Sequence, residues 1–276
     1  MSAYISQLAI YPLKSAAAIP LSQSLITHLG LAWDRRWLLV DEKGQFVTQR
    51  QCPQMALLTV TVTDGLLRID APNMPTLLAT PNHPCEISVS IWQDTVMALT
   101  VSEQADVWFS QFLGIKVRLV FFPDDRQRVV DTAWAGEGHQ TAFSDGFPIL
   151  VISQASFDDL SQRWSKTVDW RRFRPNIIVE GDFAPYSEDT WQTLNIGELA
   201  LDLVKPCSRC VIPSIDPDTT AKDSSINKVL AEHRRQADGK VYLGQNAIIR
   251  HLPKDFMLKQ GQQVEIVYKK SSPILL

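Results

Sequence analysis

The chain contains few cysteines, and their spacing excludes several classes of protein. Its 276 residues include four, Cys52, Cys85, Cys207 and Cys210. This number is too small for the dense disulfide framework that stabilises small secreted domains. Only Cys207 and Cys210 lie close together in the sequence, so the four grouped thiolates of a plant-type iron–sulfur cluster are missing. We therefore expect no iron–sulfur cluster in this chain.

Long apolar runs and an excess of positive charge are also missing. Apolar runs such as residues 147–152 are far shorter than the ~20 residues that a membrane helix requires. The N-terminus lacks the basic, apolar and small-residue segments of a signal peptide. A net charge of −3 provides no broad basic surface for nucleic acid. The sequence predicts a soluble, cytoplasmic protein that binds neither membranes nor nucleic acid, and any anion site in it must be local.

Short apolar segments separated by turn residues dominate the first 120 residues. Such a pattern is typical of β-hairpins. Strands are predicted at 5–11, 37–40, 57–62, 66–69, 87–92 and 96–101. A helix is predicted over 103–113, because apolar side chains recur there at helical spacing. A strand over 116–122 follows it.

A polar, aperiodic segment over 123–146 marks the predicted boundary between two domains, 1–122 and 123–276. The second domain is predicted to contain strands and two helices. The strands lie at 148–152, 176–180, 199–204, 241–250 and 263–268, and the helices at 154–164 and 225–235. The expected fold class is α+β with two β-rich lobes. Closure of these lobes into barrels would leave no exposed strand edges.

The segment Cys207-Ser208-Arg209-Cys210 is the strongest candidate for chemistry. Nearby positive charge favours the thiolate, which a nucleophile or a soft metal ligand requires. Pro213 and Pro217 argue against the helix that follows a thioredoxin-type redox pair. A zinc knuckle would need two further ligands, and the sequence has no second pair at suitable spacing. On spacing alone, two structural thiols that pack as small apolar residues remain an alternative.

Three other segments bring basic side chains to the ends of predicted strands. They are Tyr11-Pro12-Leu13-Lys14-Ser15, Asp34-Arg35-Arg36-Trp37 and Arg171-Arg172-Phe173-Arg174-Pro175-Asn176. Arginine offers the bidentate fork that phosphate groups bind. One isolated basic run is usually only a solvated strand end. Together with the cysteine segment, however, the three predict an anion pocket in an otherwise slightly acidic protein.

These four motifs, with Ile215-Asp216-Pro217-Asp218-Thr219 after the last, resemble in order and spacing those of MOSC-domain molybdenum proteins. The resemblance is greatest to the branch that contains the mitochondrial amidoxime-reducing component and the bacterial YcbX-type proteins. It spans residues 4–268. It implies an N-terminal MOSC-type β-barrel domain over 1–122, followed by a MOSC β-barrel domain with peripheral helices.

The resemblance also implies a cofactor, molybdenum held by the dithiolene of one pterin. Cys210 then corresponds to the metal ligand and Cys207 is unassigned. Asp216 is a candidate proton relay, with a turn-capping carboxylate as the other interpretation. Gly146-Phe147 stands where animal relatives carry a Thr-Ser pair, so a contact there would come from backbone N–H groups. The implied cofactor-binding residues are Lys14, Ser15, Arg35, Arg174, Asn176, Ser208 and Arg209.

The implied reaction is the reduction of N-hydroxylated compounds, such as hydroxylamines, amidoximes and N-hydroxylated bases, in a detoxifying role. Some relatives append a ferredoxin-like domain, but this chain has no cysteines for one, so none is expected. Electrons would then come from a separate flavin reductase or ferredoxin-type protein. Two alternatives remain: a carrier or transferase that handles sulfur or the cofactor through Cys210, and a binding module without redox activity.

Overall fold

The computed structural model describes residues 2–269, so the end of the second predicted domain, 270–276, lies outside the described residues. The described chain is rich in short strands. The strands are Ala3–Ile10 (β1), Ile19–Leu21 (β2), Gln23–Thr27 (β3), Gly30–Leu31 (β4), Trp37–Val40 (β5), Thr59–Thr63 (β6), Leu66–Asp70 (β7), Leu77–Ala79 (β8), Glu86–Ile91 (β9), Asp94–Thr100 (β10), Arg118–Phe121 (β11), Ile149–Ser153 (β12), Ile177–Glu180 (β13), Trp191–Ile196 (β14), Leu199–Ser208 (β15), Tyr242–His251 (β16), Met257–Lys259 (β17) and Gln263–Tyr268 (β18). The α-helices are Glu103–Leu113 (α1), Thr132–Ala135 (α2), Gln154–Trp164 (α3) and Ser225–Arg234 (α4).

Seven strands form a closed barrel. Their order is β13-β12-β16-β15-β14-β18-β1, and β1 pairs with β13 to complete the ring. Closure leaves no free strand edge around the ring. The barrel core is apolar and includes the fully buried Ile5, Leu8, Val151, Leu194 and Leu201. The predicted β-rich α+β class with a closed barrel is therefore confirmed.

The first strand connects the two halves of the chain. β1 lies near the N-terminus, yet its neighbours β13 and β18 both come from the second half. Ile5 and Leu8 have no exposed surface there, so burial of apolar side chains stabilises this long-range pairing. The domain boundary at residue 122 stays a prediction. A division there places β1 in the first domain and its partners β13 and β18 in the second. The pairing delivers the loop after β1 to one end of the barrel.

The rest of the first half forms small sheets around α1. β5-β11-β10-β9 is a four-stranded sheet and β6-β7-β8 a three-stranded one. Helix α1 begins after Ser102, whose hydroxyl accepts a hydrogen bond from the Ala105 amide at 3.2 Å, and ends at Gly114, which has a left-handed φ of 69°. Both are favoured helix-terminating residues at those positions. The buried face of α1 packs on the core that contains Trp37.

The segment 123–146 is better anchored than its polar sequence indicates. It contains α2 and a bridge between Val129 and Gln140. The buried guanidinium of Arg128 donates to the carbonyl of Ala142 at 2.8 Å and also to that of Ser144. These bonds hold the residues that follow, 144–147, at the same end of the barrel as the loop after β1. Among residues 2–269, no helix is long and apolar enough to cross a membrane.

Candidate functional site

A cleft of about 820 Å³, including its open mouth, lies where the barrel meets the first half of the chain. Residues from both halves line it. The lining includes every residue predicted to bind cofactor or metal: Lys14, Ser15, Arg35, Arg174, Asn176, Ser208, Arg209 and Cys210. Gly146 and Phe147 line it as well. Positions nearly 200 residues apart in the sequence thus share one surface, while the role of each residue stays a prediction.

The lining is strongly cationic. It contains six basic side chains, Lys14, Arg35, Arg50, Arg172, Arg174 and Arg209, and a single carboxylate, that of Asp145. The whole chain, by contrast, has a net charge of −3. Such a concentration of positive charge attracts anions to the cleft. The predicted local anion pocket therefore has a counterpart in the structure.

Lys14 and Asp145 form an ion pair in this cleft. The buried Lys14 Nζ donates to the Phe143 carbonyl and to Asp145 Oδ1, both at 2.7 Å. Burial lowers the pKa of Lys14 to about 8, although the neighbouring carboxylate opposes this shift. Desolvation works to raise the pKa of Asp145, but the Lys14 ammonium outweighs it and holds that pKa well below its ordinary value. The Asp145 side chain remains 66% exposed at the mouth.

Arg35 and Asn176 fix the strand ends that surround the cleft. Arg35 donates to Asn176 Oδ1 at 3.0 Å and to the Arg174 carbonyl at 3.1 Å. The Asn176 side chain also accepts from the Leu150 amide at 3.1 Å and donates to the Ala9 carbonyl at 3.2 Å. One amide thereby links β1, the start of β12 and the start of β13. The polar atoms of Asn176 are used within the protein.

Arg174 has an unused donor. Its Nη1 donates to the Ala16 carbonyl at 2.7 Å, and its guanidinium lies 4.1 Å from the centre of the Tyr11 ring. Its Nη2 is buried and has no hydrogen-bond partner among the described residues. Burial, followed by the charge of Arg35, lowers the pKa of Arg174 to about 10. An unpaired buried donor costs ~1–3 kcal/mol, so this atom favours an acceptor bound in the cleft.

The two thiols of the Cys-x-x-Cys segment differ in exposure. Cys210 is exposed on the cleft, whereas Cys207 is partly buried and packs on the apolar cluster beneath α3. Burial raises the pKa of the Cys207 thiol. Both thiols line the cleft, and Cys210 is the more accessible of the two. The packing of Cys207 supports a structural role for this thiol, which the resemblance left unassigned.

Arg209 anchors this segment. Its Nε donates to the Leu243 carbonyl at 2.8 Å and its Nη1 to the Phe173 carbonyl at 2.9 Å. The backbone N–H of Arg209 donates to the Val241 carbonyl at 2.8 Å. These bonds tie the end of β15 to the start of β16 and to the segment before β13. The guanidinium therefore positions Cys210 and has little capacity left for a ligand.

Asp216 is the one predicted site residue that does not line the cleft. Its Oδ2 accepts from Arg172 Nη2 at 2.6 Å, and its Oδ1 accepts from both the amide and the hydroxyl of Thr219 at 2.9 Å. Desolvation acts to raise the pKa of Asp216, but these hydrogen bonds outweigh it and lower the pKa. Such contacts are those of a turn-capping carboxylate. No contact in the described structure supports a proton relay through this residue.

One residue of the first half, Arg50, reaches the cysteine without having been predicted, and Trp92 packs against it. Arg50 Nη2 lies 3.4 Å from Cys210 Sγ. The Arg50 guanidinium lies 4.7 Å from the Trp92 ring centre, and Trp92 Nε1 donates to Asp145 Oδ1 at 3.2 Å. Arg50 is 160 residues from Cys210, so no motif spacing relates them. The only available indication was a polar run, Thr48-Gln49-Arg50-Gln51, within an apolar half.

Comparison with known proteins agrees with the fold. Residues 2–116 match the MOSC N-terminal beta barrel domain, and residues 138–265 match the MOSC domain. The fold and these two domain matches thus define a MOSC-domain protein. Mitochondrial amidoxime-reducing component 1 of Mus musculus is 35% identical over 230 residues, which cover 79% of this chain and 67% of that protein. The chain belongs to the family of these amidoxime-reducing components.

A human relative matches to a similar extent. Mitochondrial amidoxime-reducing component 1 of Homo sapiens is 34% identical over 228 residues, which cover 78% of this chain and 67% of that protein. Among solved structures, the YUAD protein from Bacillus subtilis aligns over 98% of both chains with 11% identity and a TM-score of 0.43. The family membership rests on the sequence relatives and the two domain matches.

Proposed function

We propose that this protein is a molybdenum-cofactor-dependent reductase of N-hydroxylated compounds. One observation carries the proposal: the exposed thiol of Cys210 opens into a cleft lined by six basic side chains. A soft thiolate suits molybdenum, and the surrounding cations suit an anionic cofactor. The names of the relatives describe reduction of amidoximes, which are N-hydroxylated amidines.

The residues of the cleft fit the cofactor by two physical criteria. The buried Nη2 of Arg174 lacks an acceptor among the described residues, and phosphate or pterin oxygens are acceptors. Within residues 2–269, no group of three or more His, Cys, Asp or Glu side chains could hold a metal ion. A metal at Cys210 would therefore take further ligands from a group such as a pterin dithiolene.

Cys210 would ligate the metal, and the remaining lining residues would hold the organic part. Lys14 and Arg174 have the charge, and Arg174 the unused donor, for direct contact. Ser15 and Ser208 offer hydroxyl and backbone donors. Arg35, Asn176 and Arg209 would contribute largely by holding the strand ends in place, because protein atoms already occupy their polar groups. When bound, the cofactor supplies the two-electron chemistry that removes oxygen from nitrogen.

The reaction requires two electrons and two protons. The N–O bond of R–NHOH breaks, an N–H bond forms, and the hydroxyl oxygen leaves as water. Lys14 Nζ is the group in the cleft best suited to hold a proton for this step, because its pKa of about 8 lies near neutrality. Asp145 accepts from Nζ at 2.7 Å and is 66% exposed, so its carboxylate stabilises the protonated form of Lys14 at the mouth of the cleft.

Electrons would come from a separate flavin reductase or ferredoxin-type protein. The relatives are named as components, which agrees with a reaction shared among several proteins. Their names also place them in mitochondria, so the cytoplasmic location expected for this chain stays a prediction. A docked donor would approach at the open mouth of the cleft, where Asp145 and Trp92 lie.

Elemental analysis combined with a turnover assay tests the proposal. Purified protein should contain molybdenum and pterin in equal amounts and should reduce benzamidoxime to benzamidine with reduced methyl viologen as donor. Protein from cells grown in tungstate is the matched control, and it should be folded but inactive. Bound molybdenum without turnover would favour the cofactor carrier or transferase instead. A chain that never binds molybdenum would refute the proposal and leave a binding module.

A further inference from the structure

Arg50 differs from the other cations of the cleft in what it contacts. Each of the other five donates to carbonyl, carboxylate or amide oxygens of the protein. The Arg50 side chain has one hydrogen-bond partner within residues 2–269, the Sγ of Cys210 at 3.4 Å. A guanidinium has five N–H donors. Most of the donors of Arg50 are therefore available to a ligand in the cleft.

The position of Arg50 is fixed without a carboxylate. Its backbone N–H donates to Thr48 Oγ1 at 3.2 Å, and Gln51 Oε1 in turn accepts from that hydroxyl at 2.7 Å, which makes a tight turn. Its guanidinium stacks on Trp92, which is supported by Phe46 at a ring distance of 5.1 Å. Stacking on an aromatic face holds the guanidinium plane and leaves its N–H edge free.

We propose that Arg50 is a substrate-binding residue that selects for the N–OH group. A substrate oxygen placed beside Cys210 lies within hydrogen-bond range of a guanidinium only 3.4 Å from Sγ. Arg50 then donates to the hydroxyl oxygen and orients the N–O bond. This inference rests on the proposed function and adds to it the residue that recognises the N–OH group of the substrate.

The charge of Arg50 adds a second form of selection. An amidoxime is neutral at neutral pH, whereas the amidine formed from it is protonated. A fixed guanidinium repels a cation at short range. Arg50 therefore favours the neutral substrate over the cationic product and promotes product release.

The test compares Arg50→Gln, Arg50→Lys and Trp92→Leu with Arg68→Gln, a control at an exposed ion pair outside the cleft. Molybdenum content, steady-state kinetics with benzamidoxime, and calorimetric affinities for benzamidoxime and benzamidine are measured on the purified holoprotein. Loss of a charge-assisted hydrogen bond typically changes affinity by about tenfold or more. Arg50→Gln should therefore raise KM for benzamidoxime about tenfold, with a smaller effect on kcat and unchanged molybdenum.

The same variant should bind benzamidine more tightly than the wild type does. Arg50→Lys should keep the weak benzamidine binding but recover only part of the benzamidoxime affinity, because lysine retains the positive charge but lacks the planar guanidinium with its several N–H donors. Changes in both affinities of the same direction but smaller size are expected for Trp92→Leu, and none for Arg68→Gln. Unchanged affinities for both compounds in Arg50→Gln would overturn the inference. Molybdenum loss parallel to activity loss would do so too, since Arg50 would then be a cofactor contact.

The calorimetry also separates the two proposals. If wild-type protein with bound molybdenum fails to reduce benzamidoxime, the proposed function fails on its own. The affinities of wild type and Arg50→Gln for benzamidoxime and benzamidine still decide whether Arg50 distinguishes the two. An equal change for both compounds, in the same direction, contradicts the selection described here.

Discussion

The side chains of the cleft divide into two groups by what their polar atoms contact. Asn176 and Arg209 bond to backbone groups of the protein, so they determine where other residues lie. Arg174 and Arg50 retain donors that the described residues do not use. The second group is therefore the better candidate for direct ligand contact. This division depends on which backbone groups each side chain contacts, and the sequence gives no indication of those contacts.

Substitution of the two thiols should have unequal effects. Cys210→Ser is expected to abolish reductase activity and to leave much of the pterin bound, because other residues contact the organic part. Cys207→Ser should be milder, since this thiol packs on an apolar cluster. Activity and pterin content measured on both purified variants check this. Equal loss of activity in two folded variants would indicate a dithiol mechanism.

Arg174→Ala and Arg35→Ala are expected to lower cofactor occupancy more than turnover per bound molybdenum. Charge-assisted hydrogen bonds contribute ~1.5–3 kcal/mol, enough to weaken cofactor binding more than tenfold. Arg35→Ala should also lower the melting temperature, because Arg35 ties Asn176 and the Arg174 carbonyl together. Metal analysis and thermal unfolding measure the two effects. Wild-type occupancy in both variants would show that the anion site lies elsewhere.

At the scale of elements, the ends of strands position the cleft. The loop after β1, the end of β15 and the segment before β13 meet at one end of the barrel, and each carries one of the basic motifs. The sequence predicted β5, α1 and α3 with the observed bounds, because β5 is a continuous apolar run and the apolar residues of the two helices recur at helical spacing. It missed β2, β4, β8 and β17, which have two or three residues each and are too short for a pattern, and it also missed the five-residue β3. It also missed α2, whose segment is anchored by the buried Arg128.

Glu188 makes the start of α3 sensitive to pH. It is fully buried and accepts from the hydroxyls of Ser153 and Ser156, each at 2.8 Å. Burial raises its pKa above the ordinary 4.5, although those hydrogen bonds oppose the shift. The folded state therefore binds more protons than the unfolded state above pH 4.5, and this residue contributes less stability as pH rises through its folded pKa.

Glu188→Gln removes this titration and should flatten part of the pH dependence. The melting temperature of the variant, relative to wild type, is expected to increase between pH 4.5 and pH 7. Glu198→Gln, at an exposed turn residue, is the matched control and should follow the wild-type curve. Parallel curves for wild type and Glu188→Gln would contradict the assignment.

At the scale of the whole molecule, both halves of the chain build one site. Barrel closure brings β1 to strands that begin more than 160 residues later, and Arg50 reaches Cys210 from the first half. Local sequence patterns predict elements but carry little information on such long-range pairings. The motifs located most of the cleft because each lies at a strand end. They did not reveal Arg50 or Trp92, and they included Asp216, which lies outside the cleft.

Electron supply should depend on a second protein. The sequence has four cysteines and no Gly-x-Gly-x-x-Gly fingerprint, so the purified chain is expected to show no iron–sulfur absorbance. It should not reduce benzamidoxime with NADH or NADPH alone, and addition of a flavin reductase or a ferredoxin-type partner should start turnover. Spectra and NADPH oxidation assays check both points. Robust NADPH-dependent turnover by the isolated chain would overturn this account of its electron source.

X-ray absorption at the molybdenum edge tests the central claim, that Cys210 holds a molybdenum cofactor in this cleft, most directly. The wild-type protein should show three sulfur ligands on molybdenum, two from the pterin dithiolene and one from Cys210. Cys210→Ser should show one sulfur fewer, and Cys207→Ser should match the wild type. The same sulfur count in wild type and Cys210→Ser would contradict the claim, as would wild-type protein that binds no molybdenum.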